Sequence, residues 1–147
     1  YPYQPSAGRM SLEHFVHEAL RRTRTDFITL HTALYYLDSI VSQLPELVRE
    51  ERQLMLGRVS MADSDHVPSP LLCPRRALVA SLLVAHKFLH DSTFSNKAWA
   101  MMTGLSTAEI NLCERTLCRS LDYRFWSRRE EDLAPEIRCL SSMRMVA

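Results

Sequence analysis

The stretch PRRALVASLLVAHKFL, residues 74–89, decides the fold. Pro74 suits the first turn of a helix, where its missing N–H would be unpaired anyway and its fixed φ is already helical. Of the thirteen residues 77–89, ten are apolar: Ala77, Leu78, Val79, Ala80, Leu82, Leu83, Val84, Ala85, Phe88 and Leu89. At helical spacing they point in every direction, so most of this helix has no solvent face and must be enclosed by others. The expected fold class is therefore all-α, with this segment as the central third helix. Its longest apolar run, 77–85 with Ser81 inside, is far shorter than the ~20 residues of a membrane span.

Working outward toward the C-terminus, a turn follows Asp91. A short helix is expected from Ser95 through Trp99 to Thr103, stopped by Gly104. Ser106-Thr107-Ala108-Glu109 then reads as an S-x-x-E capping box opening a helix to about Leu121, with a stripe of Ile110, Cys113, Leu117 and Leu121. Residues 127–147 form a C-terminal segment, charged and then mildly apolar at Leu133, Ile137, Leu140 and Met143, a candidate for one more helix.

Toward the N-terminus, residues 1–10 hold two prolines and a glycine and read as a flexible lead-in. Ser11 is a candidate N-cap for a first helix carrying Leu12, Phe15, Val16, Ala19 and Leu20, with Arg21, Arg22 and Arg24 near its positive-favouring end. A second helix starts near Asp26, with an apolar face from Ile28 to Leu44, and Pro45 is expected to end it. Residues 45–73 are then a long connection. Within it PELVREERQLML suits an exposed helix, and GRVSMADSDHVPSP reads as a solvated loop, the first place a protease would cut. Ser60, Ser64 and Ser69 in that loop are candidate phosphorylation sites, weighed against plain solvation. Five helices result, spanning 11–126.

A chain of 147 residues suits one domain with a real core. Three glycines against seven methionines favour helices, and a net charge of +1 gives no reason to expect a nucleic-acid partner. Cys73, Cys113, Cys118 and Cys139 form no C-x-x-C pair and read as buried free thiols of a reducing compartment. No secretory signal is read, so a soluble intracellular protein of the nucleus or cytoplasm is expected. His86-x-x-x-His90 has the spacing of helical metal ligands, but Lys87 stands where a general-base Glu would and no third ligand is evident. No phosphate-binding or nucleophile motif occurs, so no intrinsic enzyme, no cofactor and no metal are expected.

Residues 80–91, ASLLVAHKFLHD, resemble the third helix of the cyclin box, which ends in Ala-x-Lys-aromatic. The likeness continues through SNKAWA into AEINLCERTLCRSLDYRFW, similar to the fifth cyclin-box helix with its internal Glu and trailing aromatics. The wording resembles the fungal PCL-type (Pho80-like) cyclins over roughly 12–126, most strongly over 74–126. Two features depart from the family. The first helix, SLEHFVHEALRR, lacks the Met-Arg-Ala-Ile-Leu stretch with which cell-cycle cyclins dock substrates, and the 45–73 connection is longer than a minimal box needs.

Read from the residues alone, Lys87 is one of only two lysines and sits in the most apolar helix, so its ammonium must snorkel outward or meet acceptors. Glu114 lies at the flank of the fifth helix's buried stripe, where a partner could cover it. The plain alternative is an internal ion pair. The resemblance implies instead that both hydrogen-bond backbone of a kinase's regulatory helix, one donating and the other accepting. It also implies an apolar kinase-binding surface of Val84, Phe88, Cys118, Tyr123 and Phe125, with core packing the alternative for Val84 and Cys118.

The implied role is a regulatory subunit that binds and activates a Pho85-like cyclin-dependent protein kinase and helps choose its protein substrates. Two other classes are weighed: a cyclin-box adaptor binding DNA or a transcription complex, and a scaffold that binds a kinase without changing its rate.

Overall fold

The structure is a computed structural model that describes residues 10–57 and 67–126. The lead-in at 1–9, most of the expected loop with Ser60 and Ser64, and the C-terminal segment with Cys139 lie outside the described residues. Five α-helices follow in order: α1 (Leu12–Arg22), α2 (Phe27–Gly57), α3 (Pro74–Leu89), α4 (Asn96–Thr103) and α5 (Thr107–Ser120). A short 3-10 turn, Pro70–Leu72, leads into α3, and no strand occurs among the described residues.

Local chemistry sets most boundaries. The Ser11 side chain accepts from the His14 N–H at 3.2 Å, and Ser95 does the same for Ala98. Gly104 ends α4 at φ +76°, a left-handed conformation that costs glycine little. Ser106 and Glu109 close a reciprocal capping box, and Glu109 also receives Arg76 from the first turn of α3. At the start of α2 the Asp26 carboxylate accepts from the Thr29 N–H at 2.7 Å. That bond holds its pKa below the ordinary carboxylate value.

Burial then arranges the helices around α3, whose ten residues from Ala77 to His86 are all buried. It packs against α1, α2, α5 and the 3-10 turn, while α4 packs on α5 and α1. Leu82, Leu83 and Val79 are fully enclosed, as are Trp99 of α4, Tyr36 of α2 and Ile110 and Leu117 of α5. Each large apolar side chain removed from water this completely contributes roughly 1.5–3 kcal/mol.

One expectation is corrected. Pro45 does not end α2, which runs unbroken from Phe27 to Gly57 with Pro45 inside it. Proline deprives the carbonyl four residues earlier, that of Val41, of its donor. Val41 is exposed, so water can take the place of the lost N–H. Beyond Pro45 the sequence ELVREERQLML is rich in strong helix formers, which resume the helix. The buried positions of α2 (Thr29, Thr32, Ala33, Tyr36 and Ile40) all precede Pro45. Its last two turns expose Leu54, Met55 and Leu56, as expected of an outer helix. The first part of the 45–73 connection, residues 45–57, is thus an extension of α2.

The thiols are also more varied than expected. Cys73, Cys113 and Cys118 are free, but only Cys113 is buried and the other two are half-buried. Burial pushes the Cys113 thiol up to about 11 and raises that of Cys118, so both stay protonated at neutral pH.

Candidate functional site

The last turn of α3 leaves the core. Lys87 stands there with 33% of its side chain exposed, and its Nζ donates to Glu114 Oε1 of α5 at 2.7 Å. The same Nζ donates to Asn96 Oδ1, at the first residue of α4, also at 2.7 Å. Asn96 Nδ2 donates in turn to Glu114 Oε2 and to Asn111 Oδ1, each at 2.7 Å. Lys87 therefore meets acceptors, and the internal pair weighed as an alternative exists in the free chain. Glu114 keeps 24% of its side chain exposed, so a partner can still reach both charges.

Beside this polar group lies an aromatic cluster. After Leu121 the chain makes a tight turn in which Asp122 and Tyr123 both adopt left-handed backbone, φ +52° and +56°. Such conformations cost non-glycine residues free energy, here offset by turn hydrogen bonds such as Tyr123 N–H to the Cys118 carbonyl at 2.9 Å. The turn sends the Tyr123 side chain outward and brings Phe125 back onto the body. The Tyr36 hydroxyl donates to the Phe125 carbonyl at 2.8 Å, fixing the segment to α2. Burial pushes the Tyr36 pKa up, so the phenol remains a donor across the neutral range. Gln43 of α2 and Ser120 tie the same end of α5 down through two further bonds.

Phe125 then packs against Phe88 at 5.7 Å and Tyr123 at 6.3 Å between ring centroids. Trp126 and Phe88 pack edge to face, 5.1 Å between centroids and 89° between planes, with 79% of the Trp126 surface still exposed. Such a tryptophan, supported on one side by the Phe88 ring, offers a large apolar area at little further ordering cost.

The structure thus brings Lys87, Glu114, Phe88, Tyr123 and Phe125 to one face. Val84 is different: at 4% exposure it belongs to the core and supports the face from beneath. It lies one turn before Phe88, within the stretch of α3 that is buried up to His86. Cys118 is half-buried against the core. Two members went unnamed as site residues in the sequence. Asn96 stood in the quoted SNKAWA and Trp126 at the end of the trailing aromatics, but nothing local marked either role. Among the described residues no group of three or more His, Cys, Asp or Glu side chains could hold a metal, and no helix is long and apolar enough to cross a membrane.

Comparison with known proteins gives the family. The cyclin family model matches residues 22–125. Over 121 residues the chain is 33% identical to the G1/S-specific cyclin pas1 of Schizosaccharomyces pombe, covering 82% of this chain and 25% of that protein. It is 28% identical to PHO85 cyclin-5 of Saccharomyces cerevisiae over 109 residues, 74% of this chain and 41% of the relative. With PHO85 cyclin-1 of the same yeast the identity is 34% over 115 residues, 77% of this chain and 34% of the relative. The chain therefore spans about a quarter to two-fifths of the length of these curated relatives. No solved structure matches significantly. The relatives bear out the resemblance to the fungal PCL-type cyclins, and the match over most of the chain settles the broader point: it belongs to the cyclin family.

Proposed function

We propose that this chain is the kinase-binding part of a regulatory cyclin, and that it activates a Pho85-like cyclin-dependent protein kinase without performing chemistry itself. The observation that carries the reading is the juxtaposition of the Lys87–Glu114 pair with the exposed rings of Trp126 and Tyr123. Lys87 makes two of the three hydrogen bonds its ammonium can donate. Each oxygen of Glu114 accepts one bond and retains a lone pair. The face thus offers one free donor next to free acceptors, a pattern that fits peptide backbone whatever its side chains. The aromatic cluster alongside supplies the apolar area that a stable contact needs.

On this reading the free kinase populates mainly an inactive arrangement, and the cyclin binds the active one more tightly. Seated on the regulatory helix of the kinase, the face holds that helix inward, where its Glu meets the ATP-positioning Lys. Phosphoryl transfer stays with the kinase. The complex acts inside the cell, in the nucleus or cytoplasm, on protein substrates.

The test is titration of purified chain into a purified Pho85-like kinase, by calorimetry and by phosphate incorporation into a protein substrate. Binding with stimulation is expected. Lys87→Ala and Glu114→Ala should each weaken binding by roughly thirtyfold or more, since truncation strands a buried charged partner at a cost of about 2–5 kcal/mol. Both variants should stay folded, because a pair this accessible to water is worth only about 0–1 kcal/mol to the free chain. Binding without stimulation would make the chain a scaffold. No kinase binding, with a salt-dependent shift of duplex DNA, would make it an adaptor.

A further inference from the structure

We propose that Asn96 is a positioning residue of the kinase-binding face, which locks Lys87 and Glu114 into a single fork before any partner arrives. The inference rests on the function proposed above and deepens it. Three side chains from three helices close a ring: Lys87 Nζ to Glu114 Oε1, Glu114 Oε2 to Asn96 Nδ2, and Asn96 Oδ1 back to Lys87 Nζ, each link 2.7 Å long. The orientation of the amide is forced. Lys offers donors only and a carboxylate acceptors only, so the carboxamide must turn its oxygen to Lys87 and its nitrogen to Glu114. The second N–H of the same nitrogen goes to Asn111 Oδ1 of α5, at 2.7 Å. No other arrangement satisfies all four groups at once.

What the ring accomplishes is preorganisation. Lys87 carries a flexible four-carbon stem, and an ion pair to one carboxylate oxygen alone would leave both side chains free to swing. With Asn96 in place, Glu114 is held by both oxygens and Lys87 by two acceptors. The spare donor and spare lone pairs then stand at a fixed separation, and the rotamer freedom is already lost on folding instead of on binding. Asn96 is itself secured by its place in the first turn of α4, next to the Ser95 cap.

Asn96→Asp is the sharp variant. It keeps the shape and the acceptor for Lys87, but sets a carboxylate oxygen where Nδ2 now lies, 2.7 Å from Glu114 Oε2. Two carboxylates that close repel when both are ionised and bind one proton between them more tightly than either would alone. The shared proton restores the missing donor. The variant should therefore bind the kinase about tenfold more weakly than wild type near pH 8, with the ratio returning toward one near about pH 5.5. Taking the ratio to wild type at each pH removes the partner's own titration. Asn96→Ala, which has no proton to regain, should be weaker by a similar factor at every pH, with affinity counted per folded molecule from a parallel melt.

Equal affinity of Asn96→Asp and wild type near pH 8, or a deficit that ignores pH, would overturn the proposal. So would an Asn96→Ala chain that melts early yet binds normally when folded, which would make Asn96 merely structural. If wild type itself fails to bind the kinase, the functional reading falls and this inference with it. If wild type binds and only the expected variant effects are missing, the inference alone fails.

Discussion

From Ala77 to His86, α3 gives every side chain to the core; from Lys87 onward the same helix turns polar and aromatic groups to a face that others can reach. The two regions are continuous in backbone and opposite in what they hold. In the first, position is secured by close packing on all sides and any lost volume leaves a void. In the second, position is secured by a ring of hydrogen bonds and by ring edges, with one side left open. Core residues should therefore register in stability and face residues in affinity, and three experiments test whether that division holds.

The largest effect belongs to the core. Leu82 is fully enclosed, and Leu82→Ala should cost about 2–5 kcal/mol of stability through lost burial and a residual cavity. Denaturant unfolding measures it, and kinase affinity per folded molecule should stay at the wild-type value. A large loss of intrinsic affinity would show that the core and the face are not separable.

Next comes Trp126, the most exposed of the rings. Trp126→Ala should weaken kinase binding by about 2 kcal/mol, or some thirtyfold, as central interface tryptophans do. With 79% of its surface already in water, it should leave the unfolding midpoint of the free chain nearly unchanged. An unaltered titration would remove Trp126 from the face and restrict it to the polar ring and its nearer neighbours.

The smallest effect falls on the boundary. His86 is the last buried residue of α3, its ring 4.5 Å from that of His90 and 5.8 Å from that of Phe94. Burial, and then the charge of His90, lower its pKa below 6.5, while a backbone bond with Thr23 and the Asp26 carboxylate act the other way. The unfolded chain thus takes up this proton first as pH falls. Stability should be fully present above about pH 6.5 and decline below it. Thermal melts of wild type and His86→Phe between about pH 7 and pH 5.5 should show the smaller drop in the variant. Parallel curves would mean that His86 contributes nothing to the acid response.

How legible each part was in the sequence follows from the range of the interactions that fix it. Ser11, Ser95, Gly104 and the Ser106–Glu109 box act within one turn of backbone, and each lies where its spacing said. The enclosure of α3 was legible because ten apolar residues with no polar stripe leave a soluble helix no other option. Pro45 misled because its cost depends on whether the orphaned Val41 carbonyl meets water and on what lies beyond. Both are tertiary facts. In the site, Lys87 and Glu114 announced themselves as charges in or beside apolar stripes. Asn96 could not: a neutral amide in a polar turn becomes significant only once α4 sets it between residues nine positions before and eighteen after it. Trp126 was likewise silent, since its place depends on Phe125 reaching Tyr36 across 89 residues of chain.

Closing Lys87 onto Glu114 inside the chain has a kinetic consequence. Opposite charges 2.7 Å apart nearly cancel a few ångströms away, so the pair exerts little long-range pull on an approaching partner. Encounter at this ring is then a search for orientation, at the roughly 10⁵–10⁶ M⁻¹s⁻¹ of unsteered association. Differences in affinity among cyclins that share such a ring would then appear as how long each complex lasts, not how quickly it forms.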